Sequence, residues 1–392
     1  MVVAPDSFKG SMTAPEVSRH LAAGVLAVAP DAELTVLPMA DGGEGTLDVL
    51  LAAWGVEARE VDTVDAIGRS HRARYGVSAD GRTGVVELAA ASGLPGVSDV
   101  ALQPLHAHTR GTGLVAAAVL DAGVEQVVVC LGGSASTDGG AGLLTGLGAR
   151  LLAHPPATVA ASTHDGRAGT LVPDGGEGLA RVTGLDLDGL HPRARQVRWR
   201  LAVDVTNPLV GERGAAAVFG PQKGASEADV AYLDAALVRW ADVLERETGV
   251  RTHELPGAGA AGGVPAALVA VLGAETEQGA TLVAQAIGLP AAVAGADLVL
   301  TGEGSFDSQS LNGKVADAIG ALAAAAPGHP PVVVIAGQVL LPALRSRAAG
   351  IAAAFSIAPG PMDLDELVGR TPSRLTEVAA SVTSLYLGSV RG

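Results

Sequence analysis

The sequence predicts an α/β protein built on largely parallel sheets. Short apolar runs alternate along the chain with longer segments of helical period, as expected for strands joined by crossover helices. With 392 residues the chain is long enough for about two domains. Apolar residues make up 48% of the chain and charged residues 17%, which allows a large core and excludes a disordered or polyelectrolyte protein.

The strands and helices follow from this alternation. The first strand, Val2–Pro5, precedes a helix that ends near Ala29, because Thr13 stands three residues before Glu16 as in a capping box. Further strands are predicted at Glu33–Leu37, Gly84–Leu88, Gln126–Leu131, Arg200–Val205, Asp297–Thr301 and Val332–Ala336. Further helices are predicted at Gly113–Asp121, Ala141–Leu152, Glu227–Glu247, Lys314–Ala325 and Pro372–Leu387. The stretch His154–Asp186, rich in Gly, Pro, Thr and His and without a period, is interpreted as a surface insertion.

Charge and cysteine content limit which binding partners and which cellular compartment we expect for this protein. The 41 acidic and 26 basic residues give a net charge of −15 with no basic run, which argues against nucleic-acid binding. The single cysteine, Cys130, allows no internal disulfide and suits a reducing compartment. The two long uncharged stretches, Leu255–Ala274 and Gln278–Ala296, are interrupted by Gly and Pro, and the N-terminus has no signal-peptide pattern. We therefore expect a soluble cytoplasmic protein that has no membrane or nucleic-acid partner.

Carboxylates follow the predicted strands. In open parallel sheets, ligands bind at the carboxyl ends of the strands. The carboxylates at these turns are Asp6, Asp41, Glu44, Asp138, Asp204, Glu303 and Asp307. Mg²⁺ is held by one or two carboxylates together with substrate phosphates, and a carboxylate accepts the proton of an attacking alcohol. For each carboxylate the alternative is an Asx-turn or a helix N-cap.

The glycine-rich loop Gly132–Gly140 is the strongest candidate for an anion site. Its glycines allow close backbone approach, and the helix that follows presents unpaired N–H groups. Ser134, Ser136 and Thr137 beside Asp138 favour phosphate binding, whereas the alternative is an ordinary strand-to-helix turn. The loop is not a Walker A motif, because no Gly-Lys-Ser/Thr follows.

Lysine and asparagine are rare and lie in turns. Of the 26 basic residues only Lys9, Lys223 and Lys314 are lysines, and each lies in a glycine-containing turn. The only asparagines, Asn207 and Asn312, also lie in turns. Because lysine is a compact charge suited to phosphate and arginine does not replace it freely, we expect these residues to contact substrates. The alternative is that they only terminate turns.

Three other patterns do not predict a site. Gly257–Gly262 matches the dinucleotide pattern GxGxxG, but no strand precedes it, so it is interpreted as a packing or flexible loop. The nine histidines include no pair at i, i+4, so no zinc site is predicted. No GxSxG turn follows a strand, as a serine hydrolase would require.

Several separate segments carry a resemblance to a known family. They are Ala4–Ser11, Ala40–Thr46, Glu87–Leu94, Gly132–Gly142, Asp204–Gly224, Gly257–Gly263 and Thr301–Lys314. At these segments the sequence resembles the class I glycerate kinases. The resemblance implies two α/β domains, 1–66 with 292–392 and 67–291, with the active site in the cleft between them. It also implies ATP, Mg²⁺ and D-glycerate, with 2-phosphoglycerate as the product.

On this basis each candidate residue has an expected role in catalysis or in binding Mg²⁺, ATP or glycerate. We expect Lys9, Asp6 and Asp41 to act in catalysis, with Lys9 neutralising the transferred group and Asp41 or Asp6 taking the alcohol proton. Mg²⁺ is expected at Asp204 with Glu303 or Asp307. ATP is expected at Gly132, Gly133, Ser134, Ser136, Asp138, Lys223 and Lys314, and glycerate at Ser7, Glu44, Asn207 and Asn312.

Three alternatives stay open at this point. One is a kinase of another small hydroxy acid, the second is 3-phosphoglycerate as the product, and the third is a metabolite-binding relative without turnover. Either a monomer or a homodimer is compatible with the sequence.

Overall fold

A computed structural model describes residues 1–153 and 170–390 of the chain. By its internal contacts the chain divides into a first unit, Met1–Trp54 with Gln278–Gly392, and a second unit, Gly55–Glu277. The domain boundaries at 66/67 and 291/292 stay a prediction. The predicted fold class is confirmed, because helices alternate with sheets in which most strands are parallel.

The strands of the described residues are, in chain order, β1 Val2–Val3, β2 Thr35–Val36, β3 Arg59–Val64, β4 Ser70–Val77, β5 Thr83–Glu87, β6 Gln126–Cys130, β7 Arg150–Ala153, β8 Thr170–Leu171, β9 Gly184–Asp186, β10 Arg198–Ala202, β11 Glu275–Glu277, β12 Val299–Phe306, β13 Val332–Val339 and β14 Ile351–Ser356. The α-helices are α1 Ala14–Val28, α2 Thr46–Trp54, α3 Ala89–Ser92, α4 Arg110–Asp121, α5 Ala141–Gly146, α6 Gly176–Leu179, α7 Ala215–Phe219, α8 Glu227–Thr248, α9 Val264–Leu272, α10 Gly279–Ala286, α11 Leu289–Ala294, α12 Val315–Ala325, α13 Ala343–Ala348 and α14 Leu364–Val390.

The first unit is built on a five-stranded parallel sheet with the order β14-β13-β12-β1-β2. The capping box predicted at the start of α1 is confirmed, because the Glu16 carboxylate accepts hydrogen bonds from the amide and the hydroxyl of Thr13. Helices α1 and α14 bury aliphatic side chains in the core of this unit, among them Leu21, Val25, Leu375 and Ala379. Since every strand runs in the same direction, the turns that follow β1, β2 and β12 lie at one edge of the sheet.

The second unit is built on a six-stranded sheet with the order β11-β10-β6-β5-β4-β3. Strands β11, β10, β6 and β5 are parallel, and β4 and β3 continue the sheet in the antiparallel sense. A separate antiparallel sheet has the order β8-β7-β9. Trp199 and Trp240 are fully buried in the core of this unit.

Two predictions for the middle of the chain are wrong in part. Helix α5 stops at Gly146 instead of continuing to Leu152, because Gly148 has a φ of +99° and the chain enters β7. Residues 154–169 of the predicted surface insertion lie outside the described residues. Residues 170–186 form β8, α6 and β9, and Leu179 and Val182 are buried in the core rather than exposed.

Within the part of the chain that the structure describes, no helix has both the length and the apolar character needed to span a membrane.

Candidate active site

Two cavities adjoin the strand ends of the first unit. The first, of about 730 Å³, is called the acidic cavity and is lined by Asp6, Lys9, Glu16, Asp41, Glu44 and Asp48, among others. The second, of about 300 Å³, is called the two-lysine cavity and is lined by Asp6, Lys9, Asp41, Glu303, Asp307 and Lys314, together with aliphatic side chains of α14. Asp6, Lys9 and Asp41 line both cavities and therefore lie where the two cavities adjoin.

Asp6 is brought to this place by the pairing of β1 with β12. The Asp6 amide donates to the Gly302 carbonyl at 2.8 Å, so the chain after β1 stays alongside β12. Burial, and then the charge of Asp41, raise the pKa of the Asp6 carboxyl to about 6, although the Ser7 amide and Lys9 act in the opposite direction. A carboxylate with a pKa near neutral is suited to accept a proton at physiological pH.

Glu303 lies on β12 and is also largely removed from water. Burial raises the pKa of its carboxyl to about 7, and the negative charge of Asp6 acts in the same direction. The Ser310 hydroxyl donates to the Glu303 carboxylate at 2.9 Å, and this hydrogen bond and the positive charge of Lys314 oppose the rise. Two neighbouring carboxylates with raised pKa values indicate a site that a cation would stabilise.

Lys9 offers the positive charge at this point. Its side chain is 77% exposed, and its Nζ lies 3.6 Å from Asp41 Oδ2. The other Asp41 oxygen, Oδ1, accepts a hydrogen bond from the Gly43 amide at 3.1 Å. Asp41 is therefore held by its own turn, while the ammonium of Lys9 stays accessible to a ligand.

The other predicted site residues of the first unit line a cavity, form hydrogen bonds within their own turn, or do both. Ser7 lines both cavities, and the exposed Glu44 lines the acidic cavity. Asp307 accepts hydrogen bonds from the Gln309 amide at 2.8 Å and the Ser305 hydroxyl at 3.3 Å, as a cap of the short 3-10 turn that follows. Asn312 is exposed and donates to the Ser308 carbonyl at 3.2 Å. For Asp307 the structure therefore shows the capping arrangement that was the alternative.

In the loop Gly132–Gly140 of the second unit, only the first residues are accessible to solvent. Gly133 is exposed and Gly132 is half-buried, whereas Ser134, Ser136 and Asp138 are buried. Asp138 accepts hydrogen bonds from the Thr109 amide and hydroxyl at 2.7 and 2.8 Å, and from the Gly140 and Gly142 amides at 3.1 and 3.2 Å. The Asp138 carboxylate therefore fixes the shape of the loop from the inside.

Lys223 lies on the inner side of the same loop. Its Nζ donates to the Ser136 carbonyl at 2.5 Å and to the Ser134 hydroxyl at 3.3 Å. Complete burial lowers the pKa of its ammonium to about 8, although the charge of Asp138 acts in the opposite direction. Any effect of Lys223 on a bound anion therefore passes through the loop that it supports.

Asp204 and Asn207 follow β10 in the second unit. Asp204 is exposed, and the Asn207 side chain donates to the Arg213 carbonyl at 2.8 Å. The grouping of Asp204 with Glu303 or Asp307, which belong to the first unit, stays a prediction.

The segment Gly257–Gly262 packs against the glycine-rich loop, which confirms its interpretation as a packing loop. The Gly139 amide donates to the Gly262 carbonyl at 2.9 Å, and the Ser134 hydroxyl donates to the Ala261 carbonyl at 3.3 Å. Gly262 has a φ of +71°, and a Cβ atom added there would overlap the Ser136 carbonyl oxygen. Only glycine fits at this position.

Gly262→Ala is therefore expected to lower the free energy of unfolding by about 3 kcal/mol or more, because backbone strain adds to a steric overlap. Gly273→Ala is the matched control, since Gly273 has a similar φ of +67° but nothing within 4 Å of an added Cβ. The control is expected to lose only about 1 kcal/mol in denaturant unfolding. Equal losses for the two variants would contradict close packing between the two loops.

Sequence reasoning missed the contribution of α14 to the two-lysine cavity. Leu364, Leu367 and Val368 line this cavity, but the predicted helix began only at Pro372. The missed signal is Asp363, whose carboxylate accepts a hydrogen bond from the Glu366 amide at 2.7 Å. An acidic residue three positions before another, at the start of an apolar pattern, is a helix N-terminal signal.

In a parallel α/β fold, titratable side chains in a cavity at the carboxyl ends of the strands are typical of an enzyme active site. The model of the glycerate kinase family matches residues 1–387 of this chain. The chain belongs to the glycerate kinase family. The predicted family and the prediction of an enzyme, a kinase, are thereby confirmed.

Individual relatives agree with this assignment. The chain is 41% identical over 382 residues to "Glycerate kinase" of Halalkalibacterium halodurans, which covers 97% of each chain. It is 41% identical over 366 residues to "Glycerate 2-kinase" of Escherichia coli, which covers 93% of this chain and 92% of that one. A crystal structure from Salmonella typhimurium LT2, described provisionally as glycerate kinase 2, superposes with a TM-score of 0.87 at 38% identity. That superposition covers 100% of this chain and 99% of the other.

Proposed function

We propose that this protein transfers the γ-phosphoryl group of ATP to the 2-hydroxyl of D-glycerate and so forms 2-phosphoglycerate. The observation that carries the proposal is that Asp6, Asp41 and Lys9 line both cavities of the first unit, and that Glu303 lines the second of them. The name of the Escherichia coli relative, glycerate 2-kinase, supports the choice of hydroxyl. A cytoplasmic location and a monomeric or dimeric state stay predictions.

In this proposal Asp6 or Asp41 accepts the proton of the attacking hydroxyl, and Lys9 neutralises the transferred group. Phosphoryl transfer depends mostly on positioning and on neutralising charge, so one proton acceptor and accessible cations meet its needs. Lys314 contributes a second cation at the two-lysine cavity. Ser7, Glu44, Asn207 and Asn312 are the proposed contacts of glycerate.

The backbone of Gly132 and Gly133 is the proposed phosphate contact of the second unit. These two residues form the accessible part of the loop, and the buried Ser134, Ser136, Asp138 and Lys223 hold it in shape. Backbone amides of a glycine-rich turn bind phosphate without a side chain. This supports an indirect role for the four buried residues.

The proposal includes Mg²⁺, for which one or two carboxylates of the protein are enough. Among the residues that the structure describes, no group of three or more His, Cys, Asp or Glu side chains is arranged to hold a metal ion. Mg²⁺ commonly takes only one or two carboxylates together with substrate phosphates, so Glu303 or Asp307 would hold it in the first unit. When bound, the ion would supply neutralisation of the phosphate charge. The raised pKa of the buried Glu303 is the observation that favours a cation there.

Phosphorus-31 NMR of the product formed from D-glycerate and MgATP tests the proposal. The expected spectrum shows 2-phosphoglycerate and ADP. The appearance of 3-phosphoglycerate would overturn the choice of hydroxyl, and turnover of tartronate or glycolate in preference to glycerate would overturn the choice of acid. Stabilisation of the fold by glycerate without any release of ADP would indicate a binding protein without turnover.

The buried charge of Glu303 has a measurable effect on stability. Its pKa of about 7 in the folded protein lies above the ordinary 4.5, so the folded state holds more protons between these pH values and stability falls as pH rises. Glu303→Gln is therefore expected to raise the free energy of unfolding by about 1–3 kcal/mol at pH 8, with the gain disappearing near pH 4.5. Denaturant unfolding at both pH values measures the difference. Glu33→Gln, at an exposed position of the same unit, is the control, and an equal gain there would argue against a special cost at Glu303.

A further inference from the structure

The two-lysine cavity has an aliphatic wall as well as a charged one. Leu364, Leu367 and Val368 of α14 line it together with the charged Lys9, Lys314 and Glu303. The side chains of Leu364 and Val368 are 73% and 37% exposed, so their apolar surface is open to a ligand. Exposed aliphatic side chains that line a cavity beside charged groups are typical of a pocket for an amphipathic ligand.

The two cavities differ in charge. The acidic cavity is lined by five carboxylates, Asp6, Glu16, Asp41, Glu44 and Asp48, and by one lysine, Lys9. The two-lysine cavity is lined by four carboxylates, Asp6, Asp41, Glu303 and Asp307, and by two lysines, Lys9 and Lys314. A polyphosphate is therefore repelled less at the two-lysine cavity than at the acidic cavity.

The aliphatic wall does not match the acceptor substrate. Each carbon of glycerate carries an oxygen, so this acid has no apolar surface to bury against leucine and valine. The faces of a nucleobase are flat and aromatic, and they gain free energy when they leave water for such a wall. Of the two substrates in the proposed reaction, only the nucleotide has both an aromatic part and a charged part to match this mixed lining.

We propose that the two-lysine cavity is the nucleoside subsite of this enzyme, with the base of ATP against Leu364, Leu367 and Val368. The phosphates then extend from the base toward Lys314 and Lys9. The inference rests on the proposed function, since it assigns the nucleotide of that reaction. Glycerate, the acceptor, then binds in the acidic cavity, which shares Asp6 and Lys9 with the two-lysine cavity.

Isothermal titration calorimetry without glycerate tests the subsite, because binding of MgADP needs no turnover. The double variant Leu364→Gln/Val368→Gln replaces two exposed aliphatic side chains without adding charge. We expect its affinity for MgADP to fall at least tenfold, while its affinity for magnesium tripolyphosphate, which has no base, stays within twofold of the wild type. The single variant Leu364→Gln is expected to show a smaller loss in the same direction.

Leu385→Gln is the matched control, because Leu385 is 67% exposed on the same helix, α14, and lines neither cavity. Its affinity for MgADP is expected to match that of the wild type. Unchanged MgADP affinity in the double variant would overturn the proposal, as would an equal loss for MgADP and tripolyphosphate. A weaker affinity for glycerate with unchanged MgADP affinity would assign the wall to the acceptor instead. If the wild type binds MgADP at this wall but phosphorylates no hydroxy acid, the proposed function fails while the subsite stands.

Discussion

Asp6→Asn is expected to lower kcat for glycerate phosphorylation about 10²–10⁴-fold, the range that a positioned proton acceptor contributes. Asn keeps the size of the side chain and the hydrogen bond from the Ser7 amide, but it accepts no proton from an alcohol. Steady-state kinetics with saturating ATP and glycerate measures the loss. A variant that retains more than about a tenth of the wild-type kcat would assign the proton to another group, with Asp41 as the first candidate.

The pH dependence gives this prediction a second measurement. Because Asp6 must be deprotonated to accept a proton, kcat/KM of the wild type is expected to rise with pH through about 6 to 7, where Asp6 and Glu303 titrate as neighbours. In Asp6→Asn the part of this rise that belongs to Asp6 is lost. Asp31→Asn, at an exposed position of the same unit, is the control and is expected to keep the wild-type profile.

Lys9→Ala is expected to lower kcat/KM about 10²–10³-fold, because the substitution removes the accessible cation between the two cavities. The ion pair with Asp41 is largely exposed on the lysine side, so its loss has little effect on stability. The variant should therefore unfold at nearly the same denaturant concentration as the wild type. A loss of less than tenfold corresponds to under about 1.4 kcal/mol and would contradict the neutralising role.

Arg19→Ala is the matched control for Lys9→Ala. Arg19 is another exposed cation of the first unit, 4.0 Å from Glu16, and it lines neither cavity. We expect its kinetics to match those of the wild type. If both variants lost activity equally, the effect of Lys9 would reflect the overall charge of the unit instead of a local contact.

The parallel strands were predictable from the sequence because they are buried on both faces and appear as short apolar runs, as β6 and β13 do. The antiparallel strands β3 and β4 were not, because charged side chains interrupt their apolar pattern. These charges pair across the strands, with Arg72 within 2.9 Å of Glu60 and 3.4 Å of Asp62. Such cross-strand pairs appear only once the register is known.

For the candidate site, the sequence predicted which turns carry chemistry but not which side chains face inward. Asp6, in the turn after β1, lies beside Glu303 of β12 because β1 pairs with β12, as the rule for parallel sheets leads one to expect. Asp138 and Lys223 have the residue types of a phosphate site, yet their hydrogen bonds run to the interior of the loop. Burial by distant segments decides this difference, and no local pattern encodes it.

The central position of β1 has a consequence for biosynthesis. This strand lies between β2, which is close in sequence, and β12, whose residues are about three hundred positions later, as the bond from the Thr301 hydroxyl to the Ala4 carbonyl illustrates. A ribosome therefore releases the N-terminal segment long before its second pairing partner exists, while the second unit, which has its own core, is completed in between. The first sheet is therefore completed late in synthesis. Until β12 has been made, one edge of the strand Val2–Val3 is open to pairing with other strands.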